Sequence, residues 1–310
     1  MSKGHTPVLL EDTLDAIAPR DRGVYIDGTF GGGGHTRALL ERADCRVLGI
    51  DRDPQAVERG AALRKRYAGR LSLVHGRFSQ LDRLLAEQGE SGSDGVVLDL
   101  GVSSFQLDEF DRGFSFRGDG PLDMRMDLSG QSAADFVNTA SEAEIAGVIA
   151  RLGEERHAKR IARAVVAARP LTRTAELAEI VAGALGASAK RHKIHPATRT
   201  FQALRLYVND ELSELENGLR AAERVLRPQG RLAVISFHSL EDRIVKQFLA
   251  ARSGRVPTGS RHAPDRRATH VPTFTLLPSR TPRASEITRN PRARSARLRA
   301  AERTSAPIAA

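Results

Sequence analysis

The stretch that most constrains this chain runs from Val24 to Thr36. Its first four residues, Val-Tyr-Ile-Asp, form a short apolar run that is typical of a buried strand and ends in an acid. Five glycines follow, interrupted only by Thr29 and Phe30, and a helical pattern begins at His35. A strand, a glycine turn and a helix form the layout of a nucleotide-type pocket in an open α/β sheet. A flexible turn that binds nothing is the simpler alternative.

The strand–helix alternation continues through the first hundred residues. Strand patterns at Arg46–Asp51, Leu71–His75 and Gly95–Leu100 alternate with helical patterns. Because these strands are mostly apolar rather than strictly alternating, they predict a parallel sheet with both faces covered.

The α/β pattern stops after Leu100 and resumes about a hundred residues later. When the pattern returns, it predicts a long helix over Phe201–Leu226 and a strand over Gly230–Phe237. Short strand-like segments near Phe274–Leu277 and Ser295–Ala301 could close the sheet. Helical patterns alone occupy the interval. The sequence therefore predicts a discontinuous α/β domain, residues 1–105 and 201–310, and an inserted helical domain over residues 106–200.

Three acids end three of the predicted strands: Asp27, Asp51 and Asp99. The carboxyl ends of parallel strands share one edge of the sheet, where ligands bind. Asp51 follows Gly28 by 51 − 28 = 23 residues, and an acid about 20 residues beyond the glycine turn commonly receives ribose hydroxyls. Each acid taken singly is equally compatible with a simple helix cap.

Two features of the glycine loop favour S-adenosylmethionine over a dinucleotide. The loop spacing, Asp-Gly-x-x-Gly-x-Gly-Gly, is a poor match to the Gly-x-Gly-x-x-Gly spacing of pyrophosphate sites. The acid that closes the first strand also suits a cationic sulfonium ligand and repels a pyrophosphate. An NAD-dependent dehydrogenase is the alternative enzyme class.

The charge of the chain favours a phosphate-bearing partner. The net charge is +10, and twelve arginines lie between Ser253 and the end against Asp265, Glu286 and Glu302. Guanidinium groups match phosphate geometry, although a solvated tail explains the composition equally well. A non-catalytic RNA-binding assembly factor is therefore an alternative from another class. Tryptophan is absent and aromatic residues make up 5%, which argues against an aromatic stacking platform.

Other kinds of protein are disfavoured by what the sequence lacks. The single cysteine, Cys45, excludes an internal disulfide framework and fits a reducing compartment. No apolar run approaches the roughly 20 residues that span a bilayer, and the N-terminus has no signal-peptide core, so we expect a cytoplasmic protein with no membrane partner. No cluster of His, Cys or carboxylate residues has metal-ligand spacing, so no metal is predicted.

Ten sequence blocks, spread across nearly the whole chain, together point to one protein family. They are His5–Leu10, Tyr25–His35, Ile50–Ala56, Leu98–Ser104, Arg112–Phe116, Gly120–Asp127, Gly153–Arg156, His195–Ala203, Ile235–Arg243 and Asn290–Ser295. These blocks resemble the RsmH (MraW) family of bacterial S-adenosylmethionine-dependent methyltransferases, which act on cytosine N4 of small-subunit (16S) ribosomal RNA. The resemblance implies a Rossmann-like methyltransferase sheet with an inserted helical domain and a substrate presented within the ribosomal subunit, and it is compatible with a homodimer.

The resemblance also implies a set of cofactor contacts within these blocks and after the third strand. The backbone amides around the helix start would bind the methionine carboxylate, Asp51 would hold the ribose, and Phe78 would pack on the adenine. Phe105 occupies a position where the family pattern has proline, and this difference weakens the assignment of Gln106 as a cofactor contact. The implied contacts are Gly33, Gly34, His35, Asp51, Phe78, Asp99 and Gln106.

Methylation of an exocyclic amine sets demands that two further residues could meet. The amine is a poor nucleophile, and it must be held in line with the methyl group while its protons are accepted. Asp99 is predicted to orient the amine or the sulfonium, or merely to position the cofactor. His238, after the strand that ends at Phe237, is the second catalytic candidate. The alternative is that Ser239 and Asp242 cap the next helix with His238 packed beside them.

RNA contacts are expected from basic residues flanking the pocket. The candidates are the Arg156-to-Arg163 face of the insertion, the run Lys190–Lys193 and the arginine-rich C-terminal third. Contacts of this kind weaken steeply with salt.

Overall fold

The computed structural model describes residues 7–186, 195–254 and 271–308. The strands are β1 Val24–Asp27, β2 Arg46–Asp51, β3 Leu71–His75, β4 Ser93–Asp99, β5 Leu226–Ser236, β6 Phe274–Leu276 and β7 Arg297–Arg303. The α-helices are α1 Leu10–Ile17, α2 Gly34–Arg42, α3 Pro54–Arg59, α4 Ala61–Arg66, α5 Leu81–Glu87, α6 Ser104–Asp108, α7 Ala133–Thr139, α8 Glu142–Gly153, α9 Ala158–Ala167, α10 Thr174–Leu185, α11 Thr198–Val208, α12 Glu211–Val225, α13 Ser239–Arg252 and α14 Ala284–Arg289.

Residue contacts divide the chain into two compact units. The first unit comprises Met1–Gly101 with Leu212–Ala310, and the second comprises Val102–Glu211. This division assigns α11 to the second unit, whereas the sequence placed residues from 201 onward in the α/β domain.

The first unit is built on one sheet of seven strands within the described residues, in the order β3-β2-β1-β4-β5-β7-β6. The neighbours from β3 to β5 pair in parallel, whereas β7 pairs antiparallel with both β5 and β6. The predicted α/β class and its parallel sheet are therefore confirmed. The two short segments expected to close the sheet form β6 and β7.

Both faces of the sheet are covered, as the apolar strands predicted. In β1, Val24 and Ile26 belong to one buried cluster with α5, α12 and α13. Tyr25 belongs to a second cluster with α1 and α2 on the opposite face. Because successive side chains of a strand point to opposite faces, burial of all four β1 residues requires helices on both sides. The glycine loop and its acid are thus held at the end of a strand that is buried throughout.

The predicted long helix over Phe201–Leu226 is wrong. α11 ends at Val208 and α12 begins at Glu211, because Asp210 between them adopts a left-handed backbone with φ of 47°. Asn209 stabilises the break within the second unit: its amide donates to the carbonyls of Arg205 and Met124, at 2.9 and 2.8 Å. A polar side chain that satisfies backbone groups in this way competes with helix continuation.

The second unit is helical in the described residues, and its helices α8 to α11 each bury an apolar stripe. A capping box begins α8, since Ser141 Oγ accepts from Glu144 N–H at 3.3 Å and the Glu144 carboxylate accepts from Ser141 N–H at 2.8 Å. Close approach of α8 and α11 occurs at Gly153, where a Cβ atom would lie 2.6 Å from the Arg199 carbonyl oxygen. The buried stripe residues include Ile145, Ile149, Ile161, Val165, Leu177, Val181 and Leu204.

Candidate functional site

The three strand-terminal acids lie side by side in the first unit. Asp51, Asp27 and Asp99 end β2, β1 and β4, which are adjacent strands of the sheet. Register confirms this placement, because Asp27 pairs with Gly49 on one side and Val97 on the other. The predicted convergence of the three acids on one sheet edge is confirmed.

Asp27 is buried and joins the glycine loop to the helix after it. Asp27 is only 1% exposed. Its Oδ2 accepts a hydrogen bond from the Thr36 hydroxyl at 2.7 Å, and its Oδ1 accepts one from Thr29 N–H at 3.3 Å. Burial raises the pKa of this carboxyl, and the nearby His35 and the hydrogen bonds oppose the rise. Both carboxylate oxygens of Asp27 therefore accept hydrogen bonds from within the protein, and they stabilise the conformation of the loop.

Asp51 fixes the loop from the neighbouring strand. Its Oδ2 accepts from Gly31 N–H at 2.7 Å and its Oδ1 accepts from Asp53 N–H at 2.8 Å. Burial raises the pKa of Asp51 to about 6, although both hydrogen bonds oppose the change. Each carboxylate oxygen has two lone pairs, so an oriented carboxylate of this kind can still accept from a pair of adjacent hydroxyls.

Asp99 has the least satisfied carboxylate of the three. Its Oδ2 lies 3.8 Å from His35 Nδ1, and its buried Oδ1 accepts no hydrogen bond from the described part of the chain. Burial raises the pKa of Asp99 well above its ordinary value, with further increases from the charges of Asp27 and Glu241. A buried acceptor left in this state is costly, which is typical of a group that faces a ligand.

The glycine loop presents backbone rather than side chains at the start of α2. Gly33 has φ of 71° and occupies the N-cap position, where no described side chain caps the helix. A Cβ atom at Gly33 would lie 2.7 Å from Phe30 Cζ, and one at Gly34 would lie 2.2 Å from Pro7 Cγ. Helix N-termini attract anions through their amides and dipole, so this end of α2 can receive a carboxylate.

Phe78 lies in a short 3₁₀ turn, Phe78–Gln80, directly after β3. Its ring packs against Gly218 of α12, where a Cβ atom would lie 2.3 Å from Phe78 Cδ2, and its own Cβ approaches Gly28. Glu214 of α12 accepts from Ser79 N–H at 2.8 Å. Two glycines and one buried acid therefore set the position of the ring.

Gln106 belongs to the second unit, and the structure assigns it a local role. Its Oε1 accepts from Ser103 N–H at 2.9 Å, and Ser103 Oγ accepts from Gln106 N–H at 3.3 Å, which forms a capping box at the start of α6. Gln106 is buried, whereas Phe105 beside it is 37% exposed. Its predicted contact with a cofactor stays a prediction.

His238 lies at the carboxyl end of β5 and begins α13. The predicted caps, Ser239 and Asp242, are wrong: His238 is itself the N-cap and forms the capping box with Glu241. Asp242 instead pairs with Arg299 at 2.7 Å. An imidazole nitrogen can replace the usual hydroxyl here because it also accepts a hydrogen bond from a backbone amide.

Glu241 contacts both nitrogens of the His238 ring. Its carboxylate accepts from Phe237 N–H at 2.8 Å and lies 3.0 Å from His238 Nε2, while His238 Nδ1 accepts from Glu241 N–H at 3.4 Å. Acceptance at Nδ1 assigns the proton of a neutral ring to Nε2, on the side of Glu241. Glu241 is 3% exposed and the His238 side chain is 11% exposed, so these contacts hold the ring in one orientation.

Sequence reasoning missed the residues that support the acids and the aromatic ring. Thr29 and Thr36 were visible as the polar residues inside and just after the glycine stretch, whereas the contributions of the others depend on distant parts of the chain. The supporting residues are Pro7, Thr29, Thr36, Glu214, Gly218 and Glu241.

The residues of this edge fit S-adenosylmethionine by their chemistry. The amides at the start of α2 suit its carboxylate, the oriented Asp51 suits its ribose hydroxyls, and the acids suit its positive charge. Within the described ranges, no group of three His, Cys, Asp or Glu residues is arranged to hold a metal ion. A search of the same ranges finds no helix with the length and apolar character needed to cross a membrane.

Comparison with known proteins identifies the class and the family. The MraW methylase family matches residues 2–304. Ribosomal RNA small subunit methyltransferase H of Rhizorhabdus wittichii is 59% identical over 309 residues, covering 97% of this chain and 94% of the relative. The protein of the same name from Parvibaculum lavamentivorans is 57% identical over 308 residues, covering 98% and 90%.

The fold, the acid-lined edge and these relatives define an S-adenosylmethionine-dependent methyltransferase. The chain belongs to the MraW methylase family. Neither the NAD-dependent dehydrogenase nor the non-catalytic assembly factor is favoured by these findings.

Proposed function

We propose that this chain methylates N4 of a cytidine in small-subunit ribosomal RNA. The observation that carries the chemistry is the buried Oδ1 of Asp99, which accepts no hydrogen bond from the described residues and lies at the edge shared by all three acids. The names of the relatives support the RNA substrate. The choice of cytidine N4 as the target is supported by the resemblance of the sequence blocks to the family.

The cofactor would be held by residues of three elements. S-adenosylmethionine supplies a methyl group bonded to a cationic sulfur. The amides around Gly33, Gly34 and His35 bind its carboxylate, Asp51 accepts from its ribose hydroxyls, and Phe78 packs on its adenine. Each assignment relies on a side chain or amide whose position is fixed by contacts within the first unit.

Asp99 is proposed to act on the exocyclic amine. Its Oδ1 accepts a hydrogen bond from the amine, which orients the nitrogen lone pair. The same contact would offset the positive charge that develops on nitrogen as the N–C bond forms and the methyl–sulfur bond breaks, which would leave the sulfur as a neutral thioether. The raised pKa of Asp99 makes this carboxylate a better proton acceptor than an ordinary aspartate. The proton lost by the amine is therefore assigned to Asp99.

His238 is the second catalytic candidate on the same sheet edge. Asp99 and Ile235 are register partners on β4 and β5, and His238 follows three residues after Ile235. Its ring is oriented by Glu241. We assign it contact with the target base rather than proton transfer, because its acceptor nitrogen is occupied by a backbone amide.

The RNA surface is proposed to include α9 of the second unit. One side of this helix buries Ile161 and Val165, whereas the opposite side exposes its basic residues to solvent. The run Lys190–Lys193 and the arginines between 255 and 267 lie outside the described residues. Exposed basic residues among the described parts of the nominated regions include Arg156, Lys159, Arg160, Arg163, Arg289 and Arg294.

The assembled small ribosomal subunit in the cytoplasm is proposed as the physiological substrate, with the enzyme acting as a monomer or a homodimer. Incubation with radiolabelled S-adenosylmethionine and either small subunits or naked ribosomal RNA, followed by nucleoside analysis, tests the proposal. We expect label in N4-methylcytidine, with binding that weakens as salt rises. No transferred label on either substrate contradicts the enzyme function. Label in another nucleoside contradicts only the base assignment.

A further inference from the structure

Three sequence blocks of the second unit have no part in the function proposed above. They are Arg112–Phe116, Gly120–Asp127 and His195–Ala203. The fold brings the first and the third together: the rings of Phe116 and His195 lie with centroids 4.6 Å apart and planes inclined by 33°. At this separation the two rings are in contact, with their planes tilted.

The pair rests on a buried support. Phe201 of α11, itself 4% exposed, meets Phe116 edge-to-face at a centroid distance of 4.8 Å and an angle of 70°. A hydrogen bond at the ring edge also holds His195, since its Nδ1 accepts from Ala197 N–H at 3.2 Å. Three rings therefore run from the interior to the surface, and the last of them has a fixed orientation.

The outer end of this series is accessible to a ligand. Phe116 is half-buried, His195 is exposed, and Phe116 covers only one face of the imidazole. Part of the His195 imidazole is therefore exposed among the described residues. This exposed part offers a planar ligand a π surface next to Phe116.

A cationic residue follows Phe116 in the sequence. Arg117 directly follows Phe116, is exposed, and has no ion-pair partner among residues 7–186, 195–254 and 271–308. Arg199, the second residue of α11, donates to the Glu154 carbonyl at 3.3 Å and lies 3.6 Å from the Glu155 carboxylate. Of these two arginines, Arg117 is therefore the one whose guanidinium group is available to bind an anion.

We propose that the outer face of His195, backed by Phe116, stacks an unpaired nucleobase of single-stranded RNA, with Arg117 on an adjacent phosphate. The proposal rests on the RNA methyltransferase function proposed above and assigns a binding position to the second unit. Every base has a π face, so such a site tolerates sequence, and the arginine adds a salt-dependent contact. The low aromatic content excludes an extended platform, but a single position needs only these two rings.

The test compares full-length variants that differ in ring character at one position. His195→Leu removes the π face at similar volume, whereas His195→Phe retains it. Tyr207→Leu is the matched control, because Tyr207 is also an exposed ring of the second unit backed by a buried phenylalanine, Phe136, at 4.3 Å. The probe is a single-stranded RNA of about 12 nucleotides carrying one 2-aminopurine, whose fluorescence reports stacking.

We expect His195→Leu to weaken binding of this RNA by about 5- to 100-fold, the range for loss of one base–aromatic stack. The RNA affinities of His195→Phe and of Tyr207→Leu should both stay within about twofold of the wild-type affinity. In methyl transfer to ribosomal RNA, the His195→Leu defect should fall on KM rather than on kcat. Arg117→Gln should reduce the slope of log Kd against log salt by about 0.7 to 1.

Several results would overturn the stacking site. Unchanged RNA affinity in His195→Leu contradicts it, and so does a loss that His195→Phe shares or that Tyr207→Leu reproduces. A defect seen only with assembled subunits, while oligonucleotide binding is unchanged, assigns the pair to a protein contact instead. If the wild type binds RNA with the expected variant pattern but transfers no methyl group, the proposed function fails and the stacking site stands.

Discussion

The backbone N–H of Asp99 donates a hydrogen bond to the Thr29 hydroxyl at 2.7 Å. Thr29 lies in the glycine loop after β1, and Asp99 ends β4, so this bond ties two neighbouring strand ends together. Gly28 reinforces the link, because its N–H donates to the Val97 carbonyl at 2.9 Å. The geometry of the loop and the position of the proposed proton acceptor are therefore coupled.

Thr29→Val should damage both stability and catalysis. Valine has nearly the same shape but cannot accept the hydrogen bond, and a backbone N–H left unsatisfied costs about 1–3 kcal/mol. We expect a lower melting temperature and a decrease of kcat/KM by about tenfold, measured by thermal denaturation and single-turnover methyl transfer. Thr29→Ser keeps the hydroxyl and should remain within about twofold of wild type. Equal activity of the two variants would show that the bond has no role.

Asp99→Asn should lose activity and gain stability at high pH. Methyl transfer should fall at least 100-fold, the lower end of general acid–base contributions. The folded-state pKa of Asp99 is raised above its unfolded value of about 3.9, so the stability linked to this group is fully present below that pH and is lost as pH rises through the folded pKa. Asparagine does not ionise.

The melting-temperature difference between Asp99→Asn and the wild type should therefore increase as pH rises from about 4. Denaturation series at several pH values measure it. A difference that stays constant with pH contradicts the buried-charge account, and full methylation by Asp99→Asn removes the residue from the proposed mechanism.

Cofactor affinity should fall in acid because of Asp51. Its pKa is raised to about 6 by burial, and protonation removes the charge and one acceptor position needed by the ribose hydroxyls. S-adenosylmethionine should bind the wild type about tenfold more weakly at pH 5 than at neutral pH. Titration calorimetry across this range measures the effect. Asp51→Asn should bind weakly at every pH and lack the change near pH 6, and the same change in this variant would assign it to another group.

Gly33→Ala should weaken cofactor binding. A Cβ atom there would meet Phe30 Cζ at 2.7 Å, and φ of 71° is unfavourable for alanine by about 1–2 kcal/mol. We expect at least about tenfold weaker S-adenosylmethionine binding, since 1.4 kcal/mol is tenfold. Gly147→Ala in α8 is the control: no heavy atom lies within 4 Å of the added methyl. It should leave binding unchanged and stabilise the protein by about 0.5–1 kcal/mol.

His238→Asn separates the helix cap from the ring. Asparagine is a favourable N-cap residue, so thermal stability should stay close to that of the wild type while the imidazole is lost. We expect kcat to fall by about tenfold, within the range of one positioned contact to the reacting base. His238→Ala should lose about 1 kcal/mol of stability as well. Full methylation by His238→Asn would reduce this histidine to a helix cap.

Local patterns in the sequence determined much of the α/β unit. The apolar strands, the glycine turn and the strand-terminal acids follow from short-range periodicity and turn chemistry, and the sheet edge that collects Asp27, Asp51 and Asp99 follows from parallel pairing. The same local reasoning failed over Phe201–Leu226, because the apolar period continues through a break that Asp210 introduces with its left-handed backbone.

Only the tertiary structure decided which side chains support or complete the site. Thr29 meets Asp99 and Phe78 meets Gly218 across 70 and 140 residues of chain, and Phe116 meets His195 across 79. Periodicity records which face of a helix or strand is apolar, but it carries no information about which distant residue packs on that face. The sequence by itself therefore determined the glycine loop and the strand-end acids proposed to hold the methyl donor. The hydrogen bonds that orient these acids, and the ring pair proposed to hold RNA, depend on long-range packing.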